Sequence, residues 1–137
     1  MEANELMIGD WVISFGAPHK IVGVRTDSFY PYIKTDMSDT WYEEGMKDLL
    51  EPIPLTPDIL EKNFGRPYGV GWYDAYELKR IEGEGIYYVR DAYRYPSKER
   101  FSIIKAYNEE ITFCSLKFVH ELQHALRLAG IKKEIVL

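Results

Sequence analysis

Three prolines stand within seven residues at Glu51–Pro57, EPIPLTP. Each fixes φ and lacks a backbone N–H, so no central strand and no continuous helix can run through the segment. The chain is therefore expected to divide there, into a module over 1–54 and a lobe over 55–137. The end of the segment also starts something. Thr56-Pro57-Asp58 puts a hydroxyl at an N-cap, proline at the first helical position and an acid in the first turn. The spacing predicts a short helix with Ile59 and Leu60 inward, ended by Asn63 and Gly65.

Upstream of the prolines, apolar runs are short. Trp11–Phe15, His19–Thr26, Phe29–Thr35, Trp41-Tyr42 and Asp48–Ile53 read as strands separated by turn residues. Several short strands in such a span imply a small barrel. Gly9-Asp10 followed by WVISF and KIVGV is similar to the opening of SH3-like barrels, and Gly23 marks a bulge. Downstream, Tyr68–Leu78, Ile86–Tyr95, Arg100–Tyr107 and Ile111–Phe113 predict an antiparallel meander, with Glu82–Gly85 as a hairpin tip. In the first of these runs Val70, Trp72, Tyr76 and Leu78 are expected on one face. The fold class expected is α+β: an SH3-like small β-barrel, a short linking helix, then a β-meander packed by a C-terminal α-helix. Lys132–Leu137 is expected to dock as a strand or packed tail.

That terminal helix is predicted over Ser115–Gly130, with Ser115 as N-cap and Gly130 as the left-handed cap. At about 100° per residue, Phe118, Val119, Leu122, Ala125, Leu126 and Ala129 share one apolar arc. His120-Glu121-Leu122-Gln123-His124 matches H-E-x-x-H, in which two imidazoles at i, i+4 bind zinc and the glutamate is the general base. Here both histidines fall on the polar side, flanked by Lys117 and Arg127. Fixed cations oppose a dication, and the pattern specifies no third ligand. His120 and His124 are read as solvated surface, so no metal, cofactor or catalytic residue is assigned. A zinc-dependent hydrolase with His120 and His124 as ligands and Glu121 as base is the alternative.

Charge narrows the partners. The chain carries 17 basic and 22 acidic residues, net −5. Residues 1–65 are net −7 and residues 66–107 net +2, so no strong phosphate-binding surface is indicated. The middle region holds 8 of the 11 tyrosines, at 68, 73, 76, 87, 88, 93, 95 and 107. An aromatic sheet can stack single-stranded bases, and Arg90, Arg94, Arg100 and Lys105 can meet phosphates. Tyrosine is also simply favoured in strands. Nucleic acid is therefore kept as an alternative partner, and a protein partner is expected. Trp41, Tyr42, Tyr87, Tyr93 and Tyr95 are nominated as the interaction surface. The opening residues lack a basic leader, no apolar run is long enough to span a membrane, and Cys114 is the sole cysteine, expected to be buried. A cytoplasmic location is expected.

NELMIGDWV, EPIPLTPDILEKN, a tyrosine- and tryptophan-rich middle and VHELQHALRLAGIKKEI together resemble a family of uncharacterised small proteins of Bacteroidales genomes and their prophages or mobile elements. Leu55–Asn63 and Val119–Ile131 carry the resemblance most specifically. It implies no activity and transfers no functional residue. The expectation is a non-enzymatic binding or accessory protein acting through protein–protein contact.

Overall fold

The computed structural model describes residues 6–25, 32–36, 41–42, 50–94, 99–107 and 109–137. The protein is α+β, with two antiparallel sheets and two helices among these residues. It divides into two units, Met1–Pro54 with Phe118–His120, and Leu55–Lys117 with Glu121–Leu137. No helix among the described residues is long and apolar enough to cross a membrane.

The first unit holds β1 Trp11–Ser14, β2 Ala17–Arg25, β3 Tyr32–Thr35, β4 Trp41–Tyr42 and β5 Leu50–Pro52. They pair in the order β4-β3-β2-β1-β5. The β1–β2 turn is Phe15-Gly16, both at positive φ (51° and 77°), the backbone that two-residue hairpins require. The register slips between Ile21 and Gly23, where a bulge divides the long β2. Leu6, Val12, Ile21, Ile33 and Leu50 form the core of this unit. Asp10 locks the entry to β1. Its carboxylate accepts from Met7 N–H at 2.7 Å, and its carbonyl accepts from Ile21 N–H at 2.8 Å. The small barrel expected from the sequence is not closed among the described residues. The described strands form an open sheet whose edges, β4 and β5, are two and three residues long and do not pair with each other.

In the second unit, α1 spans Pro57–Phe64. Thr56 Oγ1 accepts from Ile59 N–H at 3.3 Å, proline opens the helix, and Gly65 closes it at φ 82°. Leu60 is fully buried, and α1 packs along β7, Tyr73–Ile81. The sheet continues with β6 Tyr68–Val70, β8 Gly85–Asp91, β9 Phe101–Ala106 and β10 Glu110–Leu116, in the order β10-β9-β8-β7-β6. Two sequence expectations fail here. Tyr68–Leu78 is not one strand, because Gly71-Trp72 turns the chain between β6 and β7, with Gly71 at φ 62°. Val70 and Tyr76 therefore belong to different strands. Ser115 lies in β10 and does not cap a helix.

The terminal helix α2 is Val119–Leu128, shorter than expected at its start. Residues 117–119 are used by the proline segment instead. Val119 N–H donates to Ile53 carbonyl at 2.8 Å, and Leu55 N–H donates to Lys117 carbonyl at 2.9 Å. The Lys117 carbonyl, given to Leu55, is not used as a helical acceptor, and Val119 N–H is a first-turn donor with no partner inside the helix. Four residues of the predicted arc, Val119, Leu122, Ala125 and Leu126, are buried; Ala129 is half-buried, and Phe118, half-buried too, precedes the helix.

The tail beyond Gly130 forms no strand, yet Ile131 and Ile135 are buried. Asn63 ties it down. Its amide donates to Ile59 carbonyl at 2.8 Å and to Val136 carbonyl at 2.7 Å, and its oxygen accepts from Val136 N–H at 2.7 Å. Asn63 is itself buried, so removing it strands backbone groups. Asn63→Ala is expected to lose about 1–3 kcal/mol in urea denaturation. Hydrogen exchange at the Val136 amide is expected to accelerate, and unchanged exchange there would contradict the assigned role.

Candidate functional site

The second sheet is bulged twice, and the first bulge helps build its most distinctive feature. In a regular strand, residues i and i+3 face opposite sides. A register shift between Glu77 and Lys79 turns Arg80 back to the face of Glu77, where its Nε donates to Oε1 at 3.1 Å. Glu110 and Thr112 pair in regular register with Ala106 and Ile104 and lie on that same face, before a second shift between Thr112 and Cys114. Residues directly opposite across antiparallel strands share a face. One row is thus Arg80, Ile86, Ala106 and Glu110, and the next is Glu77, Tyr88, Ile104 and Thr112.

Tyr73, Ala75, Tyr88 and Ile104 form the packed centre of this face, with Trp72, Ile86 and Ala106 against it. The Tyr73 and Tyr88 rings lie nearly parallel, centroids 6.3 Å apart, and Trp72 meets Tyr73 edge-on at 4.7 Å. Arg90 covers the far end, 5.3 Å from the Trp72 ring and 5.9 Å from Tyr73. The tyrosines are only 8% and 6% exposed, yet their hydroxyls reach an open concavity of about 320 Å³. Tyr68, Glu77, Arg80 and Glu110 wall it, and Ala75 and Ile86 give it an apolar floor.

Hydrogen bonding inside the concavity is asymmetric. Tyr88 donates to Glu110 Oε1 at 3.0 Å, and Tyr73 donates to the same oxygen at 3.4 Å. Tyr68 donates to Glu77 Oε2 at 3.1 Å. Arg80 is committed to Glu77, whereas no cation among the described residues pairs with Glu110. Glu110 Oε2 accepts nothing among the described residues. A larger neighbouring concavity of about 710 Å³ covers the hairpin tip, but none of its lining side chains is buried. The tyrosine–glutamate pocket is therefore the better-formed site.

Burial, then the Tyr73 hydroxyl 3.5 Å away and the hydrogen bond to Glu110, push the Tyr88 hydroxyl well above the ordinary range of tyrosine. It stays a donor throughout neutral pH. On the other face, burial and then the charge of Asp91 push Tyr76 from 10.0 to about 12. Both folded-state values are raised, so the folded chain holds protons that the unfolded chain releases. Stability is expected to be full below pH 10 and to fall as pH rises from there through about 12. The loss is on the order of 1–3 kcal/mol for Tyr76. Urea midpoints measured from pH 8 upward check this, with Tyr76→Phe giving the flatter profile; equal slopes would contradict it.

The nominated residues do not gather at this pocket. Tyr87 faces the opposite side of β8, half-buried under Lys105, whose Nζ is 5.5 Å from its ring. Tyr93 lies past the end of β8, exposed, with Arg94 over its ring at 5.3 Å. Tyr95 and the side chains of Trp41 and Tyr42 lie outside the described residues. The four cations weighed for phosphate contact are dispersed and engaged. Arg100 chelates buried Asp91, Arg94 donates to Gly71 carbonyl, Arg90 covers Trp72, and Lys105 covers Tyr87.

The histidine motif is rearranged as well. His120 is buried, not solvated, with its ring stacked on Phe118 at 5.8 Å. The reason is that it stands in the first helical turn, where Phe118 bridges to Pro54 and the helix's own periodicity does not set exposure. His124 is half-buried. Glu121 accepts from Lys117 N–H at 2.9 Å, so the residue matching a general base serves as a helix cap. Among the described residues, no three His, Cys, Asp or Glu side chains come together as metal ligands. Cys114 is half-buried, less than expected, and burial raises its thiol pKa.

Spacing alone does not bring Tyr73, Tyr88 and Glu110 together, because the β7–β8 register depends on the bulge in β7 and Glu110 comes from two strands away. The available signal was the alternation Ile86-Tyr88-Arg90 along one strand. No protein-family model, no curated protein and no solved structure matches the chain.

Proposed function

We propose that the chain is a non-enzymatic binding or accessory protein that engages a protein partner, and that its recognition element is the Tyr73–Tyr88–Glu110 pocket. One observation carries this reading: two buried tyrosine hydroxyls converge on one carboxylate oxygen at the wall of an open concavity. A fold gains little from polar groups grouped at an open surface, whereas a binding site uses a few convergent polar groups over an apolar floor. We further read the first unit as an SH3-like module. Its strand order and the bulge that divides β2 support that reading. The reading places the protein in the cytoplasm, in keeping with a sole cysteine, Cys114.

A photo-crosslinking amino acid tests the proposal. Tyr68 is at the pocket rim and 57% exposed; Leu128 on α2 is 79% exposed. In cells, position 68 is expected to give a discrete protein adduct that position 128 does not. Equal labelling from both positions, none from 68, or substrate turnover by the purified protein would overturn the reading.

A further inference from the structure

The pocket's charge specifies its occupant more narrowly. Glu77 is neutralised by Arg80 and bound by Tyr68, so that wall is internally satisfied. Glu110 is different. Two phenol donors hold one of its oxygens, Tyr88 at 3.0 Å and Tyr73 at 3.4 Å. Its other oxygen accepts nothing, and no cation pairs with it, among the described residues. Counting Glu77, Arg80 and Glu110, the pocket keeps one negative charge. Tyr68, Tyr73 and Tyr88 are among its lining residues, and aromatic rings attract cations. At about 320 Å³ the space suits a single side chain better than a nucleotide or a large cofactor. An anionic group would meet Glu110 unscreened, and a purely apolar group would leave its second oxygen desolvated without a partner.

We propose, resting on the recognition role given above, that the pocket takes an organic cation, the ammonium or guanidinium of a lysine or arginine side chain on the protein partner. The cationic head meets Glu110 Oε2, and the alkyl stem lies over Ala75 and Ile86. Arg80 at the rim favours a single inserted cation over a dense basic stretch, since a second positive charge would meet it.

The probes are blocked single residues: Nα-acetyl-lysine amide, Nα-acetyl-arginine amide, their neutral analogue Nα-acetyl-norleucine amide, and free butylamine. Amide shift mapping on the full chain at low ionic strength reads binding. The lysine and arginine probes are expected to shift the amides of Tyr73–Glu77, Ile86–Tyr88 and Glu110. The norleucine probe is expected to be weaker by about tenfold or more, as a charge-assisted bond is lost. Glu110→Gln is expected to remove that difference, and Tyr88→Phe to reduce it, with unperturbed amides elsewhere showing both variants folded. Norleucine binding as tightly as lysine, or Glu110→Gln leaving the preference intact, overturns the cation assignment. Butylamine binding more tightly than either blocked residue overturns the side-chain source. No shift with any probe also overturns the assignment. If the position-68 adduct forms regardless, the recognition role stands and only the cation assignment falls; if it does not, both fall.

Discussion

Leu122→Ala is expected to destabilise the protein by about 2–5 kcal/mol, the range for truncating a large aliphatic side chain in a packed core. Leu122 is 0% exposed, and Val119, Ala125 and Leu126 are buried on the same arc of α2. Removing three carbons there opens a space that helix and neighbours fill only partly, so lost burial and lost contact add together. Leu128 supplies the control. It lies on the same helix, six residues on, and is 79% exposed. Leu128→Ala is expected to stay within about 0.5 kcal/mol. Urea denaturation of the two variants checks the pair, and similar losses would contradict the inward arc.

Gly85→Ala carries the second large effect, about 2–4 kcal/mol, from two causes acting together. Gly85 sits at φ +104°, outside the backbone range that side chains ordinarily allow. A Cβ there would also lie 2.2 Å from Ala106 carbonyl oxygen, which is backbone and cannot step aside. The hairpin closing β7 and β8 is thus pressed against β9 at the end of the row that carries Ile86 and Glu110. Gly83, at the tip of the same hairpin, has φ +78° and open space around its missing Cβ. Gly83→Ala is expected to lose only about 1 kcal/mol. A thermal or urea series showing equal losses would mean that the steric contact at Ala106 is absent.

These two sites also show what the sequence makes legible. The α2 arc follows from helical period alone, and α1 follows from Thr56, Pro57 and Gly65, each acting within one turn. Such features are local, so spacing suffices to read them. Register is not local. The bulge that brings Arg80 beside Glu77, and the one beyond Thr112 in β10, each move one part of a strand relative to the next. A shift of a single residue reverses every side chain beyond it, so Tyr87 and Tyr88 exchange roles on one undetected bulge. Composition singled out the tyrosine-rich region, but not which face of it turns outward. His120 escaped for a related reason: its burial arises where backbone at 53–55 bonds to backbone at 117–119, a pairing between distant segments that helix angles do not encode.

The central claim is that the Tyr73–Tyr88–Glu110 cluster serves recognition. Functional clusters of this kind are expected to be dispensable for folding. One measurement separates the two roles: the yield of the position-68 cross-linked adduct in a Glu110→Gln background, taken on protein whose urea midpoint matches the parent. The account predicts that the adduct falls to the background seen from position 128 while the midpoint holds. An undiminished adduct in the folded Glu110→Gln protein would contradict it.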